Sequence, residues 1–245
     1  MEQLDLESRG FGPENAGGDW NINLGAGVGV APNYPGASSN RVRAIPFAFV
    51  SYKNEFFLSP AGLGWNAIHQ DGFRAGPLLG LMGGRHESDD AHLTGLGNIA
   101  PSAAVGAFAT YRTGIFRVSG SVRQAITHTS NGLEGQVQAD VLVPLNGKDL
   151  LLAVGPELAF ASANYNQTFF GVNAQQAVQS GLPAYNAGAG LRDVGLHADL
   201  SYLYSPHLIF RGFVNVKELT GNDANSPLVQ NKRQTTVGAG AAWHF

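Results

Sequence analysis

Cysteine is absent from the 245-residue chain, which excludes both a disulfide framework and a thiolate metal site. Charge is scarce as well. Asp, Glu, Lys and Arg make up 13% of the residues, about half the roughly 25% usual in soluble domains. The formal net charge is −3, and no basic stripe is available to neutralise phosphates, so nucleic acid is excluded as a partner. No run of about 18 apolar residues occurs, which removes a transmembrane helix. The opening MEQLDLESRGFGPENAGGDW has neither the basic n-region nor the apolar h-region of a secretory signal. If the protein is exported, the chain is expected to start after signal cleavage, with residues 1–19 as a flexible periplasmic tail and 20–245 as the folded body.

What is present in quantity is glycine, 33 residues, set among alternating apolar positions. In WNINLGAGVGV, Trp20, Ile22, Leu24, Ala26, Val28 and Val30 share one side, and Asn or Gly the other. The stretch from Gln234 to Phe245 repeats this. Thr235, Val237, Ala239, Ala241, Trp243 and Phe245 form one row; Gln234, Thr236, Gly238, Gly240, Ala242 and His244 form the other. A period of two is the mark of a strand between two environments. Segments of this kind, about ten residues long, are the signature of transmembrane β-strands. A soluble sandwich alternates too.

Three features favour the membrane. Aromatic residues gather near strand ends (Trp20, Tyr52, Trp65, Tyr111, Tyr202, Tyr204, Trp243 and Phe245), as an interfacial girdle requires. Tight connections alternate with long polar ones at 84–101, 162–187 and 220–233. Charges inside strands fall on the non-apolar row, where a polar lumen permits them. Eleven segments can be placed, near 20–31, 41–52, 56–68, 73–83, 102–112, 115–125, 133–143, 150–161, 191–204, 207–219 and 234–245. Bacterial single-chain barrels have even strand numbers, and splitting 56–68 at Ser59-Pro60-Ala61-Gly62 restores parity. The expectation is a closed antiparallel transmembrane β-barrel of twelve strands, with ten as the alternative, short periplasmic turns and long extracellular loops.

Ordered motifs along the chain resemble the MipA/OmpV family of Gram-negative outer-membrane proteins. They are GAGVGVAPNYPGASS, IPFAFVSY, EFF followed by GLGWN, Gly84-Arg85 with LTGLGNI, TFFGVNAQQAVQSGLPAYNAGAGL, NDANSPLV and the aromatic C-terminus. The resemblance implies an outer-membrane barrel. It also implies a bridging role between a lytic transglycosylase and a penicillin-binding protein, since the family takes its name from a member that interacts with such a transglycosylase. Outer-membrane lipid, lipopolysaccharide and the barrel-assembly machinery are the other expected partners.

Candidate chemistry is sparse. His197, Asp199 and Ser201 share a strand face, but side chains two apart on a strand are about 6.5–7 Å from one another. His197 and Ser201 therefore stand too far apart for direct proton transfer in a triad. THTSNG (His128, Ser130, Asn131) reads as an ordinary turn. His86, Glu87, Asp89, Asp90 and His92 crowd one loop; they are candidate ion ligands without a defined loop motif, and a solvated loop is the plainer reading. No cofactor and no metal are expected, and no enzymatic activity. The lumen-facing charges are expected to be Arg74, Arg117, Arg123, Arg211 and Lys217 against Glu134, Asp140, Glu157 and Asp199, with His197 among them. Nearly balanced signs point to cross-strand pairing rather than an ion-selecting ring. Tyr165, Phe169, Phe170, Leu182 and Tyr185 mark the 162–190 loop as either a self-packed plug or a contact surface, and NAQQAVQSG as one or two helical turns. Trp243 and Phe245 read as an assembly signal. The function expected is a non-enzymatic binding or scaffolding barrel; the alternative is a passive channel for small solutes.

Overall fold

Alternating rows force strands, and strands in lipid must pair until no edge remains. In the computed structural model, which describes residues 19–146 and 149–245, thirteen β segments form one antiparallel sheet. They are β1 (Trp20–Pro32), β2 (Asn40–Tyr52), β3 (Phe56–Ser59), β4 (Gly62–Trp65), β5 (Ile68–Gln70), β6 (Phe73–Met82), β7 (Ser102–Thr113), β8 (Phe116–Ala125), β9 (Leu133–Asn146), β10 (Leu150–Ala161), β11 (Gly190–Ser205), β12 (Leu208–Leu219) and β13 (Arg233–His244). Both β4 and β5 pair with β6, on either side of an interruption at Asn66-Ala67. They are two halves of one stave, so the wall has twelve. The β1–β13 seam closes it, in register from Asn23–His244 to Val30–Val237. No described helix is long and apolar enough to cross a membrane. The expected tail at 1–19 lies, apart from Asp19, outside the described residues.

The wall follows the two rows. Leu24, Val28, Val30, Val137, Leu158, Leu196 and Val237 are exposed on the outer face, where lipid replaces water. The aromatic girdle proves one-sided. Trp20 packs on Tyr52 with ring centroids 4.8 Å apart, Phe56 on Trp65, Tyr204 on Tyr202 and Phe210, and Trp243 stacks on His207. All of these sit at the periplasmic rim, with both chain ends of the barrel and its short turns.

One stretch of wall is short. The β3–β4 hairpin turns back at Pro60-Ala61, and Gly62 takes a φ of 132°, which an L side chain rarely adopts. β2 pairs with β3 only from Val50 to Tyr52. From Asn40 to Phe49 its described pairing is to β1 alone, which leaves a notch in the upper wall between β2 and β6.

The long loops build a cap over the extracellular end. Ser162 caps α1 (Ala163–Phe170), its side chain accepting from the Tyr165 N–H. Asn173 and Gln176 form a capping box on α2 (Ala174–Ser180), which ends at Gly181 in the left-handed region. A single turn, α3 (Gly221–Ala224), follows β12. Two apolar clusters lie under and within the cap. One joins Phe169 and Phe170 to Met82, Ile99 and Leu219; the other joins Tyr34, Leu93, Leu96, Val172 and Leu228.

Candidate functional site: the closed lumen and its vestibule

One side of the lumen, from β8 to β12, is held by charge. Arg117 and Asp140 face each other in register on β8 and β9. Arg117 Nη2 lies 2.5 Å from Asp140 Oδ2, and the two side chains are 4% and 0% exposed. Asp140 Oδ1 also meets His197 Nε2 at 2.5 Å, although His197 belongs to β11, two strands away. Gly155 of β10 stands between them, paired with His197. A Cβ on Gly155 would come within 3.1 Å of the Asp140 Cα, so the missing side chain lets the pair meet over its top. The same device recurs one level higher. Glu157 on β10 and Lys217 on β12 both pair with Gly195 of β11, and Lys217 Nζ reaches Glu157 Oε1 at 2.7 Å. Gln138 and Asn215 donate to the same carboxylate.

Above these, Arg123 pairs with Glu134 at 2.6 Å and Arg192 with Glu134 at 3.1 Å and Asp193 at 2.7 Å. Arg192 also donates to the Tyr165 hydroxyl at 2.9 Å, tying the cap to the wall. Strand parity would send Arg192 outward. A bulge reverses this: Ala159 pairs with Asp193 and Phe160 with Leu191, leaving Arg192 as the extra residue.

The opposite side, β13–β1–β2, is filled by aromatic rings set into glycine. A Cβ on Gly240 would stand 2.2 Å from Phe47 Cε2, and one on Gly27 would stand 2.8 Å from the same atom. Gly238 leaves comparable room for Phe213 and Ile45. Towards β6 and β7, Phe49, Phe57, Leu78 and Phe108 form a buried cluster, Phe57 meeting Phe108 edge-on at 5.2 Å. Rings on one side and ion pairs on the other leave the middle of the barrel occupied.

Between this filling and the cap lies a vestibule of about 470 Å³. Six cationic side chains line it against three carboxylates, and each carboxylate is already engaged: Asp89 by Arg41, Glu134 by Arg123 and Arg192, and Asp193 by Arg192. Arg41, Arg43 and Arg85, all absent from the sequence-based lumen set, carry much of the excess.

The other sequence-based candidates take the following positions. Arg74, Asp199 and Arg211 lie on the lumen row, Asp199 and Arg211 buried. His197 bonds Asp140 and not Ser201, whose Oγ is buried without a described partner; no triad forms there. Among the described residues no group of three His or carboxylate side chains is placed to hold a metal ion. The 86–92 loop spends its acids structurally. Glu87 accepts from the Gly95 and Gly97 N–H groups, Asp89 binds Arg41, Asp90 takes Ser39 and Asn33, and His92 Nε2 meets the Pro227 carbonyl oxygen. His86 contributes its backbone N–H to Asp89. His128 and Asn131 are likewise pinned to the Pro101 and Ala100 carbonyls. In the 162–190 loop, Tyr165, Phe169 and Phe170 are buried and Leu182 and Tyr185 half-buried. Trp243 and Phe245 face outward at the periplasmic rim.

Comparison with known proteins adds three findings. A family model described as MltA-interacting protein MipA matches residues 24–245. The outer membrane protein Omp26La of Vibrio anguillarum is 26% identical over 171 residues, covering 69% of this chain and 65% of that protein; the chain thus spans just under two thirds of that relative's length. Among solved structures, an outer membrane channel from Pseudomonas putida F1 aligns with a TM-score of 0.47 at 10% identity, over 93% of this chain and 96% of that one. The NanC porin aligns with a TM-score of 0.43 at 10% identity, over 91% and 98%.

Proposed function

The chain belongs to the MltA-interacting protein MipA family of outer-membrane barrels, and from that premise we propose that it works as a non-enzymatic binding and scaffolding barrel of the cell envelope. The observation that carries this reading is the filled lumen. A passive pore needs a continuous water path, whereas here ion pairs and aromatic rings occupy the mid-section and a packed cap covers the outer end. The family's name, MltA-interacting protein, supports an MltA-type partner, for which the resemblance suggests a lytic transglycosylase and, through it, a penicillin-binding protein. Such enzymes would meet the periplasmic rim, where the barrel offers its short turns and its aromatic girdle. Outer-membrane lipid and lipopolysaccharide surround the wall, and the barrel-assembly machinery would read Trp243 and Phe245 during insertion.

A channel for small solutes is the second reading, favoured by the vestibule and its polar lining. A planar-bilayer recording separates the two. The scaffold reading expects no stepwise conductance from the intact protein, together with crosslinking of the periplasmic turns to a transglycosylase. Regular conductance steps without any such capture would overturn it.

A further inference from the structure

Among the described residues, nothing pairs with one edge of β2 over the upper half of the wall, at the notch between β2 and β6. Unpaired backbone groups facing hydrocarbon cost several kcal/mol each, so an open edge at membrane depth persists only where it lines a water-filled or occupied cavity. Pro46, exposed in the middle of that edge, removes one N–H from it. Behind the opening lies the vestibule, and its lining includes both banks of the notch: Arg41 and Arg43 from β2, and Met82, Gly83, Gly84 and Arg85 from the end of β6 onward. The opening and the cavity are therefore one feature.

The cations on these banks are incompletely matched. Arg41 is taken by Asp89. Arg43 reaches only the Pro32 and Asn33 carbonyl oxygens, at 3.5 and 3.3 Å, and among the described residues no carboxylate pairs with it. Arg85 is 3% exposed. It donates from Nη1 to the Phe169 carbonyl at 2.9 Å, while its Nε is buried without a partner among the described residues. Burial lowers the Arg85 pKa to about 10, an effect Tyr34 and Asp89 only partly offset. A buried guanidinium with an unused donor is costly unless an anion meets it.

We propose that the notch is a side door through which the anionic headgroup of an outer-leaflet amphiphile reaches the vestibule, where Arg43 and Arg85 bind its phosphate or carboxylate. The acyl chains stay in the bilayer against the Leu79 and Leu81 side of β6, both exposed to lipid. A volume of about 470 Å³ suits a small headgroup, since ligand cavities run from roughly 300 to 1,000 Å³. This reading stands apart from scaffolding, which concerns the opposite rim.

The test is native mass spectrometry of the delipidated full chain, titrated separately with dioleoylphosphatidylglycerol, dioleoylphosphatidylcholine and glycerol 3-phosphate. The phosphatidylglycerol is expected to bind as a discrete adduct and the zwitterionic lipid to bind poorly. Arg43→Gln, whose side chain is exposed and dispensable for packing, should weaken that adduct roughly tenfold, as the loss of one charge-assisted hydrogen bond does. Arg85→Gln should do the same where it folds, judged by heat-modifiable gel migration. For the route, Gly83→Cys places a unique thiol where a Cβ meets nothing within 4 Å, and its alkylation with a bulky maleimide should abolish lipid binding. Equal binding of both lipids would overturn the proposal. So would glycerol 3-phosphate binding as well as the lipid and indifferent to the blocked Gly83→Cys, which would indicate a free anion arriving from water. A lipid-free dimer would assign the β2 edge to a second copy of the chain instead.

Discussion

The two walls of the lumen do the same job by opposite chemistry. From β8 to β12 the interior is closed by Arg117, Asp140, His197, Glu157, Lys217, Glu134 and Arg192 in a continuous ionic ladder. From β13 through β1 to β2 it is closed by Phe47 and Ile45, joined by Phe213 from the adjacent β12, lying over Gly27, Gly238 and Gly240. Glycine serves both walls, in different ways. In the ionic wall Gly155 and Gly195 are gaps over which polar side chains two strands apart reach each other; in the aromatic wall the glycines are the floor on which rings rest. The lesson is that a glycine in a barrel strand is best understood from what crosses it. An ionic wall also demands its partners in full, because a buried charge left alone costs far more than the pair contributes. An aromatic wall demands only volume.

That contrast can be broken at three points. The largest effect is expected from Gly240→Val, which drives a branched side chain into the Phe47 ring and to within 2.6 Å of the Ala26 carbonyl oxygen across the seam. Overpacking of this kind costs about 1–3 kcal/mol, and more where the strand backbone itself must shift. The expected result is a barrel that fails to close, seen as loss of heat-modifiable gel migration; normal migration would mean that the glycine floor is not required. Next comes Asp140→Ala, which removes the buried carboxylate that Arg117 and His197 share and should destabilise the barrel by about 3–5 kcal/mol, measured by urea unfolding in lipid vesicles. An effect below about 1 kcal/mol would place the pair with solvent-exposed bridges and dissolve the distinction between the walls. The smallest effect is expected at the top of the ionic wall. Asp223 of α3 is 1% exposed, and neither of its oxygens has a described partner. Burial pushes its pKa up to about 7, with Arg192 pulling down and Asp193 pushing up. Between the unfolded carboxylate value of about 4 and that of the folded cap, the folded state binds a proton that the opened chain releases. Cap stability should therefore fall as pH rises through this window and level off above it. Hydrogen exchange of the α1 and α3 amides, corrected for intrinsic rate, should show faster opening at about pH 8 than at about pH 5. Asp223→Asn should remove the difference, and a slope that survives the substitution would point to another group.

Most of the barrel was legible because lipid outside and polar filling inside leave a strand no choice but to alternate. Ser59-Pro60-Ala61-Gly62 marked the short hairpin and parity favoured it, so twelve strands, with ten as the alternative, could be read from the residues. The lumen charges were legible for the same reason. What escaped was whatever parity does not govern. Arg192 enters the lumen through a bulge that no spacing announces. Arg41 and Arg43 sit on the lumen row of NRVRAIPFAFV, but their significance comes from the missing neighbour of β2, a property of topology. Arg85 and Asp223 are loop residues buried by contacts from distant segments. The helix α1 begins at an ordinary Ser162 cap and has no strong amphipathic period to announce it, whereas NAQQAVQSG was expected to form one or two helical turns, where α2 lies.

The β1–β13 seam has a consequence for how the barrel forms. Its partners lie at opposite ends of the described chain: Asn23 and His244, which also bond side chain to side chain, are 221 positions apart. Neighbouring hairpins can zip locally, but this contact requires nearly the whole polypeptide to be in place, and contacts of such separation are slow to form. On its lumen row the seam is poor in side chains, with Gly25, Gly27 and Gly29 facing Ala242, Gly240 and Gly238, while the outer row pairs Leu24 with Trp243 and Val30 with Val237. It is therefore expected to be the last joint made during insertion, with amides along β1 and β13 gaining protection after those of the neighbouring hairpins.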